Sequence, residues 1–269
     1  MNSWPNTLDY QIIDLNEENI DTYDLFCFKS KKKSEGYRNK VKWVKKRFKE
    51  GIRLKILYVN EGPKRGFTSR GFIEYIPGEY TWRGIDAQGW MVIHCIWVVG
   101  KHKKKGYGTK LLEECINDSK KLEMNGVAVI TSEKSWYPGR KLFVKNGFEK
   151  VGSYLNHIEL YIKRFKDNVT LPKFIHVSNG KINNYSEGLV VFKSDQCPYL
   201  NDLVVYVGKI AKQRNIPILV ENIQNHHMAQ NCVHPYGTFC LLLKGKQLPK
   251  EPDTKKLFKV LTERGIIKL

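Results

Sequence analysis

From residue 90 to 99 the chain reads Trp-Met-Val-Ile-His-Cys-Ile-Trp-Val-Val, apolar on both faces except at His94. Such a run belongs in the middle of a sheet covered on both sides. Shorter runs on either side complete the pattern. Residues 8–15, 53–59, 70–75 and 127–131 read as strands, and residues 151–162 as one or two more. Residues 37–48 predict a helix with Val41, Val44 and Phe48 on one face, ended by Gly51. A further helical stretch is expected over 17–28, followed by a basic polar loop to Gly36. After Gly108, a helix should bury Leu111, Leu112, Cys115, Ile116 and Leu122. Residues 137–146 predict one more, closed by Gly147.

Beyond Phe165 the composition turns to Asn, Gly, Ser and Pro, which reads as linker with one short strand. A second alternation follows: strand 189–192, helix 200–213, strand 216–220, a His-rich irregular stretch and strand 238–243. The helix carries an apolar stripe of Leu200, Leu203, Val204, Val207 and Ile210. A turn at Lys244-Gly245-Lys246 and a closing helix marked by Leu257, Val260 and Leu261 end the pattern. The expected fold class is α+β, with domains at 1–166 and 187–269 joined by a linker at 167–186.

Charge adds a constraint. The chain holds 46 Lys and Arg against 27 Asp and Glu, a net +19. This balance suits a polyanion or a phosphorylated small molecule, and equally suits solvated charged faces. No aromatic-basic stacking platform is visible, so specific nucleic-acid binding is not expected. Six widely spaced cysteines do not form a secreted disulfide framework. Neither a leader-like N-terminus nor an eighteen-residue apolar run is visible, so the expectation is a cytoplasmic protein without a membrane partner.

Chemistry concentrates where the central strand ends. Val98 is followed by Val-Gly-Lys-His-Lys-Lys-Lys-Gly-Tyr-Gly-Thr and then by an amphipathic helix. Gly106 and Gly108 let backbone N–H groups approach a phosphate, the helix start adds its dipole, and Lys103, Lys104 and Lys105 add charge. Strict alternation would put His94 on one face with Ile96 and Val98. A His near neutral pH suits removal of a proton from an amine, and a packed His satisfied by a neighbouring carbonyl is the equal alternative. Glu74, Glu79 and Asp86 are rival bases.

The element order and the Lys103-x-x-Gly106-x-Gly108 turn, followed by Phe143-Val144-Lys145-Asn146-Gly147-Phe148, resemble the GNAT superfamily of acyl-CoA-dependent N-acyltransferases over residues 8–164. The resemblance implies a mixed, mostly antiparallel sheet with flanking helices and acetyl-CoA or another acyl-CoA as co-substrate. It places pantetheine along the backbone of Ile96, Trp97 and Val98, and the phosphates on Lys103, Lys104, Lys105, Gly106, Tyr107, Gly108 and Thr109. The acceptor, a small-molecule or peptide amine, would lie among residues 26–38 and 75–89. Phe143 occupies the place near the sulfur where the family often has a proton-donating Tyr, and Trp136 replaces an Asn. Tyr137, expected about two turns earlier on the same helix, is the substitute acid; His94 and Glu74 are the other candidate catalytic residues.

In the second half, Cys197-Pro198-Tyr199-Leu200 at a helix start resembles a glutaredoxin site whose resolving Cys is replaced by Leu200. Such folds resemble thioredoxin, and Gly237-Thr238-Phe239 lies where they carry a cis-proline. Cys232 or Cys240 could resolve Cys197. Nearly the full chain resembles the YoaP-like group of bacterial N-acetyltransferases. The alternative function is a monothiol redox or thiol-sensing protein centred on Cys197, with the first domain as a CoA-binding module. His226, His227, Cys232 and His234 lack paired ligand spacing, so no metal is expected.

Overall fold

The computed structural model describes residues 9–133, 137–154, 157–175 and 185–248. Its first half is built on β1 (Tyr10–Leu15), α1 (Glu35–Arg47), β2 (Arg53–Asn60), β3 (Phe67–Pro77), β4 (Ile85–Asp86), β5 (Met91–Val98), α2 (Tyr107–Lys121), β6 (Gly126–Thr131), α3 (Arg140–Lys145), β7 (Glu149–Tyr154) and β8 (Ile158–Arg164). Seven of these strands form one sheet in the order β1-β2-β3-β5-β6-β8-β7. Only β5 and β6 run parallel; every other neighbouring pair is antiparallel. The apolar run beginning at Trp90 thus lies in the interior of the sheet, between β3 and β6.

Residues 17–28 form turns rather than the expected helix. The Asn16 side chain accepts from the N–H groups of Glu18 and Asn19, and Asp24 accepts from Phe26 N–H. These short polar side chains bind the amides that a helix would need. The α1 helix starts two residues before its expected position because Ser34 caps it, accepting from Tyr37 N–H. Helix α3 is only six residues long, since Pro138 and Gly139 hold its N-terminal approach extended. Leu122, expected in the core, is the C-cap of α2 and 48% exposed.

The second half contains β9 (Lys173–Phe174), β10 (Leu189–Lys193), α4 (Tyr199–Gln213), β11 (Ile218–Asn222), α5 (His226–Gln230), β12 (Phe239–Leu243) and β13 (Lys246–Gln247). Strand β9 lies in the expected linker and pairs with β4 of the first half. The other strands form a second sheet, β11-β10-β12-β13, with β10 and β11 parallel and β12 antiparallel to its neighbours. The expected closing helix at Leu257, Val260 and Leu261 lies outside the described residues, as does Trp136.

The two sheets share their cores. Alternate residues of β10 point to opposite faces, and each face joins a cluster containing first-half residues. Leu189 and Val191 belong to a cluster with Trp90, Val92, Ala128 and Leu160. Val190 belongs to another with Leu15, Trp43, Ile56 and Trp82. A third cluster, under α2, holds Leu57, Ile73, Ile93, Leu111, Leu112 and Val129. No described helix is long and apolar enough to cross a membrane.

Candidate acyl-CoA site

The turn after β5 is an assembly of left-handed backbone. Gly100, Lys104 and Gly106 have φ of 58°, 62° and 81°. Successive N–H groups in such turns converge on an anion. Gly106 is the N-cap of α2 and supplies no side-chain cap. Lys110 N–H reaches the Gly106 carbonyl at 3.1 Å, whereas Tyr107, Gly108 and Thr109 precede the first helical acceptor. The first turn carries no acidic residue, and Lys103, Lys104 and Lys105 are exposed around it. Open amides, an unopposed dipole and three cations make this a seat for phosphate.

Beside it the sheet opens. The β5–β6 ladder consists of Met91–Val127, Val92–Ala128 and Ile93–Val129, after which β5 continues to Val98 and β6 to Thr131 without pairing to each other. The far edge of β5 stays paired, with Glu74–Cys95, Ile73–Ile96, Phe72–Trp97 and Gly71–Val98 on β3. Backbone groups of β5 beyond Ile93 therefore face a wedge that an extended ligand could fill as an added strand. The residues present fit coenzyme A: the wedge suits pantetheine, and the turn at its base suits the phosphates.

The opening coincides with a bulge. Register on β3 shifts between Glu74 and Tyr75, which pair with Cys95 and Ile93, so His94 is the extra residue. An extra residue reverses the alternation after it. Ile96 and Val98 pack with the α2 core, while His94 points to the opposite face and bonds Trp82. The expected common face of His94, Ile96 and Val98 is thus corrected.

His94 is enclosed in a polar hub. Its Nε2 accepts from Trp82 N–H at 3.1 Å and lies 3.2 Å from Thr81 Oγ1, and Nδ1 lies 3.3 Å from Glu74 Oε1. Burial, reinforced by the nearby Arg83 charge, pushes its pKa down to about 4. The ring is neutral near pH 7, and neither nitrogen opens toward a substrate, so His94 holds the bulge rather than acting as base. Glu74 is 1% exposed and also bonds Gln196 Nε2 at 2.6 Å and Lys40 Nζ. Burial alone would raise its pKa, but Lys40, His94 and Gln196 outweigh it and hold the group ionised. Every partner of Glu74 is internal, so its expected base role is corrected in the same way.

Arg83 completes the hub. It is 2% exposed and donates from Nη2 to the His94 carbonyl at 2.7 Å, satisfying a backbone oxygen at the bulge. From Nη1 it donates to Gln196 Oε1 at 2.9 Å and to the carbonyls of Trp82 and Tyr236. Sequence spacing gave Arg83, Lys40 and Gln196 no role. Their partners are up to 153 positions away, and no local pattern reports such contacts.

The remaining expected residues separate. Tyr137 precedes α3 rather than lying on it, with its ring 4.8 Å from that of Tyr236. Ser132 N–H reaches the Pro138 carbonyl at 3.4 Å, so Tyr137 lies close to the C-terminal end of β6. Burial holds its hydroxyl well above the ordinary phenol pKa. Phe143 is fully buried beneath α2, 5.3 Å from the Phe148 ring, and its expected contact with cofactor is corrected: the short helix anchors on it. Trp97 is 41% exposed and meets Phe26 edge-on. Glu79 accepts from Gly89 N–H and Asp86 is the exposed residue of β4, and neither bonds a residue of the hub. Cys197 stands two residues before α4, partly buried against the core. Among the described residues no group of His, Cys, Asp or Glu could hold a metal ion.

Comparison with known proteins agrees with this geometry. Residues 65–148, from β3 through the bulge, the wedge and the phosphate turn to Phe148, match the model of the Acetyltransferase (GNAT) family. That stretch is a GNAT acetyltransferase domain, the class of enzyme that moves an acyl group from acyl-CoA to an amine. Over 243 residues, 89% of this chain and 93% of the relative, the sequence is 25% identical to the uncharacterized N-acetyltransferase YoaP of Bacillus subtilis (strain 168). Solved structures with some likeness include a GNAT-family acetyltransferase of Staphylococcus aureus (14% identity, TM-score 0.42, 58% of this chain and 99% of that one). Another is the PaiA N-acetyltransferase of Thermoplasma acidophilum in complex with coenzyme A (18%, TM-score 0.40, 59% and 100%).

Proposed function

We propose that the protein acetylates, or otherwise acylates, a primary amine, drawing the acyl group from acyl-CoA seated in the β5–β6 wedge. The observation that carries this reading is the wedge itself, opening where His94 bulges and ending at an uncapped, lysine-flanked helix start. Backbone groups of Ile96, Trp97 and Val98 would hold the pantetheine arm, and the segment from Lys103 to Thr109 the phosphates. The amine must attack as the neutral base. With both His94 and Glu74 engaged internally, its proton leaves to water. Tyr137, close to the C-terminal end of β6 and protonated throughout the physiological range, is the candidate donor to the departing thiolate.

The second unit fits a thioredoxin-like reading, with domains at 1–166 and 187–269. Its support is the order β11-β10-β12-β13 with one parallel pair and Cys197 at the start of α4. Thr238 stands before β12, where such folds carry a cis-proline, and its carbonyl accepts from Ser194 N–H at 2.9 Å.

Titration with acetyl-CoA by calorimetry tests the seat, and a screen of amines read by thiol release tests turnover. Micromolar binding and release with at least one class of primary amine are expected; absence of binding overturns the reading. Tyr137→Phe should lower kcat about 10²-fold while leaving acetyl-CoA affinity unchanged. An unchanged kcat removes Tyr137 from the chemistry.

A further inference from the structure

The segments that carry three cysteines from distant parts of the sequence meet where the two units pack. Cys197 lies between Gln196, which donates to Glu74 at 2.6 Å, and Pro198, whose carbonyl would sit 2.4 Å from a Cβ on Gly36. Glu74 is the cross-strand partner of Cys95. Cys27 precedes Phe28, whose N–H donates to Tyr199 Oη at 3.3 Å and whose ring meets the Tyr199 ring at 4.6 Å. The loop carrying Cys27, the strand carrying Cys95 and the helix start carrying Cys197 thus converge. Their ionisations are coupled: a negative charge on Cys197 raises the pKa of both Cys27 and Cys95. All six cysteines of the chain are thiols in this structure.

The three differ in what they can do. Cys197 is partly exposed at the start of a fifteen-residue helix, a position that favours thiolate. Cys95 is fixed in the β3–β5 ladder. Cys27 sits in a loop between Phe26 and Phe28, both left-handed at φ 65° and 61°, outside any strand or helix. Cys232 and Cys240, the expected resolving candidates, are 6% and 2% exposed in the core that packs on α1.

We infer that Cys197 exchanges with low-molecular-weight disulfides, and that Cys27 of the acetyltransferase unit resolves the mixed disulfide so formed. The Cys197 thiolate attacks a disulfide RSSR, forming Cys197–S–S–R and releasing RS⁻. The Cys27 thiol then attacks the Cys197 sulfur, its proton passing to the departing thiolate, forming Cys27–S–S–Cys197 and releasing RSH. One disulfide is reduced to two thiols while two protein thiols are oxidised, so electrons balance without another reagent. Order follows from charge. Burial holds Cys27 as a thiol, with the Cys95 and Cys197 charges adding to the effect, and capping Cys197 removes one of those charges. The resolving function missing at Leu200 is in this way supplied from 170 residues away. This activity stands apart from acyl transfer and does not depend on it.

The test uses the full-length reduced protein with oxidised glutathione. Released glutathione is counted per chain, and linked peptides are mapped after alkylation. Wild type should release two thiols per chain and yield a Cys27–Cys197 peptide. Cys27→Ser should release one, leaving a stable glutathione adduct on Cys197, with the second release slowed at least tenfold; Cys197→Ser should give no such linkage. A wild-type reaction that stops at the adduct overturns the inference, as does a link from Cys197 to Cys95, Cys232 or Cys240, or an unmodified Cys197. The wild-type peptide map decides even if a variant folds poorly, and acetyl-CoA titration of the same sample reports separately on the acyltransferase reading.

Discussion

A histidine in the central strand looks like a base until its neighbours are counted. His94 spends both nitrogens on Trp82, Thr81 and Glu74, and its environment keeps it neutral down to about pH 4. A group whose folded pKa lies below its unfolded value of about 6.5 leaves the unfolded chain binding more protons as pH falls. Its stabilising effect is therefore complete above pH 6.5 and is lost between there and about 4. Glu74 acts lower: its depressed pKa contributes above the ordinary carboxylate range and fades only below it. Urea unfolding should show stability falling by about 2 kcal/mol from pH 7 to pH 5 through His94 alone. In His94→Gln that portion of the slope should vanish; an identical slope would show that His94 already titrates normally in the fold.

At the scale of elements, the glycine-lysine turn is legible in the sequence because every part of it is local. Glycine at the left-handed N-cap, lysines beside it and an apolar run before it all lie within fifteen residues. The wedge was not legible. Sequence alternation carries no mark of where two parallel strands part, and the His94 bulge shifts register without changing the apolar pattern. Likewise residues 17–28 carry helix formers, yet Asn16 and Asp24 bind the amides first. Gly108 separates folding from binding. A Cβ there would meet Leu142 at 3.5 Å, an ordinary contact within a helix. Gly108→Ala should change stability by less than about 1 kcal/mol, since Ala is the better helix former. By filling the close-approach space it should weaken acetyl-CoA binding about tenfold, read by calorimetry. Unchanged affinity would move the phosphates off this turn.

Across the whole molecule, the second sheet buries the working parts of the first. Gln196 links Arg83 to Glu74, and β10 contributes to apolar clusters on both of its faces. The sequence predicts domains at 1–166 and 187–269, and residues of both contribute to apolar clusters beside the hub. Gln196→Leu removes one hydrogen bond from the buried Glu74 carboxylate and one from the buried Arg83 guanidinium, which costs about 1–3 kcal/mol. Chemical denaturation should register that loss. If the variant is as stable as wild type, Glu74 and Arg83 do not depend on the second unit.

The sequence by itself determined the elements with strong local signals: the central strand, the glycine-lysine turn, helices α1, α2 and α4, and a thiol at a helix start. These follow from backbone geometry and side-chain periodicity, which act over a few residues. Only the tertiary structure decided which groups meet. It turned His94 inward through a one-residue bulge, bound its carbonyl to Arg83, joined Glu74 to Lys40 and Gln196, and brought the segments carrying Cys27, Cys95 and Cys197 together. Those contacts depend on pairing between strands and packing between sheets, which no local pattern encodes.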